Sequence, residues 1–131
     1  DKVNKLIKYR EHFRPFAPAI LKEFQAEFFN YSEDTQYMEK VFIVKENKRH
    51  IIPSVTHNDG TARLQTVKKE NNFCFYKLIN SFYKKTGIPI LLNTSFNLRG
   101  EPMVCSPADA IKTFHNSGLD ELYLGDYLVH K

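Results

Sequence analysis

The chain has 131 residues, 42% hydrophobic and 14% aromatic, which is enough to bury a sizeable core as a single domain. Nineteen basic against 15 acidic side chains leave a formal charge of +4, a mild excess that suits a small anionic ligand and lacks the dense basic stripe of many nucleic-acid modules. Two cysteines, Cys74 and Cys105, are too few for a disulfide framework or a Cys-built metal site, and without a secretory leader or a spanning apolar run the chain is expected to be soluble and cytoplasmic, with no membrane partner.

The opening DKVNKLIKYRE lacks an initiator Met and reads as the interior of a longer polypeptide. Two prolines and spaced charges predict an irregular, partly extended segment through about residue 18. Pro18 then stands at a plausible first helical position, and Ile20, Leu21, Phe24 and Phe28 follow at helical spacing, predicting a helix of about three turns. Residues 30–39 read as a loop, and VFIVK (41–45) as a strand. IIPSVTH and TARLQTV flank Asn58-Asp59-Gly60, which predicts a hairpin over 51–67.

A helix is expected from about Asn72 to Lys85, with Phe75, Leu78, Ile79 and Phe82 facing the core and Gly87 as its cap. IPILLNT (88–94) is a buried strand, Ser106-Pro107-Ala108-Asp109 opens a capped helix ending near Gly118, and ELYL and YLVH are short strands around Gly125. The pattern is α/β: a twisted mixed β-sheet with packed helices.

Three clusters carry chemistry. The strand 88–94 ends in Asn93, Thr94, Ser95 and Asn97, with Arg99 and Glu101 close behind. Asn and Ser after a strand also cap ordinary turns; equally, strand carboxyl ends are where open α/β sheets place ligands, and a hydroxyl with two carboxamides can hold phosphate or a planar amide-like group. Lys8 and Arg10, with Arg14 beyond, would converge on one anion if the segment is extended, although a lone basic stretch is usually just solvated. His57 and Arg63 flank the Asn-Asp-Gly turn and are expected across from each other, with Asp59 at the tip; a surface hairpin carrying a stray His is the alternative. There is no P-loop, GxGxxG or GxSxG, so no motif makes Ser95 a nucleophile, and the five histidines show no metal-ligand spacing, so no protein-bound transition metal is expected.

Together, KYREHFRPFAPAIL, PSVTHNDGTARLQTV, PILLNTSFNLRGEPMVCSP and GLDELYLGDYLV resemble the C-terminal domain of the carbamoyltransferases, a family that includes nodulation-factor and antibiotic O-carbamoyltransferases. The stretches span almost the whole chain in the family's order. The resemblance implies a YrdC-like fold over residues 1–131 that takes carbamoyl phosphate and ATP with Mg²⁺ and forms carbamoyl-adenylate. A separate, metal-dependent N-terminal domain of the same full-length chain, lacking here, would then pass the carbamoyl group to a hydroxyl acceptor. It further implies a KxR pair at Lys8 and Arg10 and an SxN pair at Ser95 and Asn97, with Arg63 sharing the developing phosphate charge. Arg14, His57, Asp59, Asn93, Thr94, Arg99 and Glu101 would be substrate contacts. Two rivals are an RNA-binding, tRNA-modification module of YrdC type and a non-catalytic docking domain. Core-facing placement of the aromatics counts against a nucleic-acid partner.

Overall fold

The computed structural model describes residues 3–9, 11 and 14–131, and it divides into two compact units: Pro15–Thr94, and the described part of residues 1–14 together with Ser95–Lys131. Helices and strands are mixed in an α/β arrangement, with the strands gathered into small separate sheets among the described residues.

The larger unit is organised by strand β1 (Ala17–Leu21), all five of whose residues are buried. It lies between β4 (Gln65–Val67), which runs parallel to it, and β5 (Ile90–Asn93), which runs antiparallel. This replaces the expected helix beginning at Pro18. A five-residue run that is apolar on both faces satisfies a central strand as well as a helix, and here the burial decides. The helical spacing of the later residues survives in a short 3₁₀ turn, Lys22–Phe24, and in α1 (Gln25–Phe28). Pro18 is tolerated in a central strand because pairing with β4 starts only at Ala19, so no ladder partner awaits its missing N–H on that side.

Strand β2 (Val41–Ile43) pairs antiparallel with β3 (Thr61–Arg63), with Val41 opposite Arg63 and Ile43 opposite Thr61. The hairpin expected over 51–67 is therefore not formed. Helix α2 (Glu46–Arg49) precedes its first arm, which holds a 3₁₀ turn at Pro53–Val55, and its second arm splits between two sheets. The tip itself is as read: Gly60 has φ +80°, its N–H donates to the His57 carbonyl at 2.9 Å, and its own carbonyl accepts from Val44 N–H. A Cβ at Gly60 would come within 2.5 Å of the Arg49 guanidinium, whose Nε donates to the Val44 carbonyl at 3.2 Å.

Helix α3 (Phe73–Thr86) is capped by the Asn72 side chain, which accepts from Phe75 N–H, and closed by Gly87 in the left-handed region. Ala19, Leu21, Val67 and Ile79 form the core beneath it, extended by Phe24, Phe75, Tyr76 and Leu91. Ile79 is, however, its only buried residue. Leu78 is 58% and Phe82 37% exposed, so the face read as core-facing is half shoulder, and its aromatics do not weigh against a surface role.

In the smaller unit, α4 (Pro107–His115) packs on a hairpin of β6 (Glu121–Leu124) and β7 (Tyr127–His130) through Ala110, Phe114 and Leu122. Positive φ at Gly125 but not Asp126 is the type II′ pattern that suits the twist of a two-residue hairpin loop. α4 opens with a full capping box: Ser106 Oγ accepts from Asp109 N–H at 3.2 Å, and Asp109 Oδ2 accepts from Ser106 N–H at 3.0 Å. No helix among the described residues is long and apolar enough to cross a membrane.

Two outcomes follow from these turns and caps. Gly60→Ala should cost about 2–3 kcal/mol by thermal unfolding, from left-handed strain plus displacement of Arg49, whereas Gly125→Ala, with open space around it, should cost only the strain of about 1–2 kcal/mol. Bonds from Ser106 Oγ, first, and from Cys105 N–H hold the Asp109 carboxyl below the ordinary aspartate range. Its contribution is therefore present above the unfolded value near ~3.9 and lost as pH falls through the lower folded value. Amide exchange in the first turn of α4 should accelerate on acidification through that window, and Asp109→Asn should remove the pH dependence.

Candidate active site

The site is built around Lys8. Asn4–Lys8 forms one wide helical turn, closed by the Tyr9 N–H on the Asn4 carbonyl, and Tyr9 takes a left-handed φ of 48°. Asn4–Lys8 is therefore helical and not extended, while the described residues among 9–16 are irregular as expected, and alternation along a strand is not what aims Lys8. Asn4 and Lys8, one helical turn apart, are both buried, and Asn4 Nδ2 donates to the Arg14 carbonyl at 3.1 Å, tethering the chain that follows. Nothing in the sequence singled out Asn4; its spacing of four from Lys8 was the available signal.

Lys8 Nζ lies 2.5 Å from the Ser95 carbonyl, 3.1 Å from Ser95 Oγ, 3.1 Å from the Asn97 carbonyl and 2.8 Å from Asn97 Oδ1. An ammonium has three protons, so with four acceptors at this range at least one proton is shared. Ser95 Oγ donates to Asn97 Oδ1 at 2.7 Å, and Asn97 Nδ2 donates to the Glu101 carbonyl at 2.8 Å. The first-named basic residue and the SxN pair, read as separate clusters, are thus one hydrogen-bonded constellation. Burying an ammonium is costly unless its protons find oxygens, and the loop after β5 folds back to provide them.

The arrangement bears on what Ser95 can do. Its hydroxyl neighbours among the described residues are an ammonium, which donates, and a carboxamide oxygen, which is not basic. Neither can take the hydroxyl proton, so neither of these partners activates Ser95 as a nucleophile. Glu101 contributes its backbone carbonyl, and it heads a cavity of about 200 Å³ lined also by Met103, Cys105 and Lys112, a volume for a small group and not for a whole nucleotide. Arg99 Nη1 reaches the Tyr9 carbonyl at 3.4 Å, and Arg14 faces Glu11 at 3.9 Å as an exposed pair. Arg10 lies outside the described residues.

The other candidates belong to the larger unit. Arg63 is exposed on β3, opposite Val41, and does not face His57. His57 instead pairs with Thr61: its N–H donates to the Thr61 carbonyl at 2.7 Å, and Nδ1 lies 3.1 Å from Thr61 Oγ1. Asp59 Oδ1 accepts from both the hydroxyl and the N–H of Thr61, bonds that hold its carboxyl below the usual range with help from His57. Asp59 is thereby a turn-stabilising group. Asn93 Nδ2 donates to Gln65 Oε1 at 2.7 Å across the sheet, and Thr94, half-buried, ends the unit. Among the described residues no group of three or more His, Cys, Asp or Glu side chains converges as a metal site would require.

Residues 1–131 match the profile described as "Carbamoyltransferase C-terminus" along their whole length. The chain is 49% identical to the nodulation protein NolNO of Sinorhizobium fredii over 134 aligned residues, covering all of this chain and 20% of that protein. It is 47% identical to an uncharacterised protein of Methanocaldococcus jannaschii, covering all of this chain and 25% of the relative. It is 32% identical to the 3'-hydroxymethylcephem-O-carbamoyltransferase of Amycolatopsis lactamdurans, covering 96% of this chain and 24% of that enzyme. The chain therefore belongs to the carbamoyltransferase C-terminal family, and it spans about a fifth to a quarter of the length of these relatives.

Removing the cation should loosen the loop it organises. Lys8→Met is expected to cost about 1.5–3 kcal/mol, the range for hydrogen bonds to a charged group. Amide exchange over residues 95–101 should rise while β1 amides stay protected, and uniform exchange across both regions would show that Lys8 does not hold this loop.

Proposed function

We propose that this chain is the nucleotide-handling domain of an O-carbamoyltransferase and forms carbamoyl-adenylate from ATP and carbamoyl phosphate. The observation that carries the reading is the Lys8–Ser95–Asn97 constellation, in which a buried ammonium, a hydroxyl and a carboxamide are gathered by hydrogen bonds to one another in a chain of this family. Donors of this kind suit oxyanions, and nothing in the set suits covalent catalysis.

The reaction balances as follows. Water takes the phosphoryl group of carbamoyl phosphate, leaving carbamate, inorganic phosphate and a proton. A carbamate oxygen then attacks the α-phosphorus of ATP in line, the bond to the β-phosphate oxygen breaks, and pyrophosphate departs. Charge builds on the phosphate oxygens during this displacement. Lys8 turns one proton from its shared 3.1 Å contacts toward that charge, while Ser95 Oγ–H, swung away from Asn97 Oδ1, and the second proton of Asn97 Nδ2 orient the carbamoyl group. Mg²⁺ arrives with the ATP as part of the substrate. The adenylate then passes its carbamoyl group to a hydroxyl, with loss of AMP, in the larger part of the full-length protein. The relative named for 3'-hydroxymethylcephem supports a hydroxymethyl group as one acceptor type.

Isotope exchange between pyrophosphate and ATP, dependent on carbamoyl phosphate, tests this half-reaction without an acceptor. Ser95→Ala should retain exchange at about 2- to 12-fold below the parent, the equivalent of a neutral hydrogen bond. Asn97→Asp should be worse than Asn97→Ala, because a carboxylate there claims the Lys8 ammonium and repels phosphate. Exchange without need of carbamoyl phosphate, a carbamoyl adduct on Ser95, or an Asp variant as active as the parent would each defeat the reading.

A further inference from the structure

Helix α3 leaves one of its apolar stripes uncovered. Cys74, Leu78 and Phe82 recur at i, i+4 and i+8, so they share a stripe beside the buried Ile79. All three are exposed, Leu78 by 58% and Phe82 by 37%. The helix rests on the core through Ile79, Tyr76 and Phe75, and Phe24 packs on Tyr83 with ring centroids 4.6 Å apart. The stripe lies next to that contact, turned away from it. Beyond it the outer surface is basic: Lys77, Lys84 and Lys85 are exposed, and Lys77 Nζ stands 5.4 Å from the Phe73 ring.

We propose that this shoulder of α3, an apolar ridge with a basic border, is the docking surface for the larger, N-terminal part of the same full-length polypeptide, which would meet it with an acidic rim. Two observations fix the occupant. The relatives are four to five times longer than the region they share with this chain, so a large body of protein accompanies the domain in each of them. The lysines bordering the stripe call for carboxylates opposite, since a neutral or basic partner would leave them facing like charge or nothing. An apolar stripe at a helical spacing of four, edged by one sign of charge, is the form in which a helix packs against a groove. The proposal is independent of the nucleotide chemistry assigned to Lys8, Ser95 and Asn97.

Cys74 makes the interface measurable, because it lies on the stripe. In the full-length polypeptide that carries this chain, maleimide labelling of Cys74, followed by peptide mass spectrometry, is compared between native and urea-unfolded protein. The expected result is native labelling at least about tenfold slower than unfolded, with Leu78→Lys restoring it toward the unfolded rate. Leu78 is mostly exposed in this chain, so its replacement has no reason to disturb the fold, and circular dichroism checks that. Phe82→Ser provides a second, milder variant with the same expectation. Native labelling as fast as unfolded labelling overturns the proposal. So does protection that neither variant relieves, or protection that grows with protein concentration, which would assign the stripe to a second copy.

Discussion

A buried ammonium organises the smaller unit. Lys8 is 6% exposed, and the oxygens that satisfy it come from Ser95 and Asn97, nearly ninety positions further along the chain. A cation removed from water must be met by several oxygens at once, and few arrangements manage this with two carbonyls, a hydroxyl and an amide from one three-residue stretch. That demand explains why the strand IPILLNT runs into a cluster of hydrogen-bonding side chains where a simple turn would suffice. It also explains the conformation at the other end, where the chain accepts a wide helical turn and a left-handed Tyr9 to bring Lys8 inward.

The same constellation joins two motifs that stand far apart in the sequence of this member of the carbamoyltransferase C-terminal family. Ser95 and Asn97 are linked to each other as well as to Lys8, so each holds the next in a fixed orientation. The turn at His57–Thr61 is a local counterpart, closed by residues near one another in sequence. Its side chains are also polar and close together, and His57 and Asp59 both bond Thr61 within five residues of chain.

Exposure tells a related story about the larger unit. A fourteen-residue helix with one buried side chain is poorly stabilised by its own domain alone, because helices of this length depend on tertiary burial of an apolar face. In relatives where this region is only a fifth to a quarter of the protein, such a face is expected to meet more chain.

The local chemistry was legible in the residues themselves. Asn72 and Gly87 bound α3, Ser106 with Asp109 opens α4, and Gly125 turns the last hairpin, because each depends on side chains within a few positions of one another. The motifs at Lys8 and at Ser95-x-Asn97 were visible too, as residue types suited to an anion. Pairing was not. Ala17–Leu21 is apolar on both faces and reads equally as helix or strand until β4 and β5 bury it from either side, and Thr61–Arg63 joins β2 where the nearer IIPSVTH seemed its natural partner. Likewise the face of α3 could be seen to be apolar, but whether Leu78 and Phe82 were covered depended on what packed beside them. Short-range hydrogen bonds are written in neighbouring residues, whereas burial is a property of contacts between distant ones, and only the tertiary structure decides which of those contacts form.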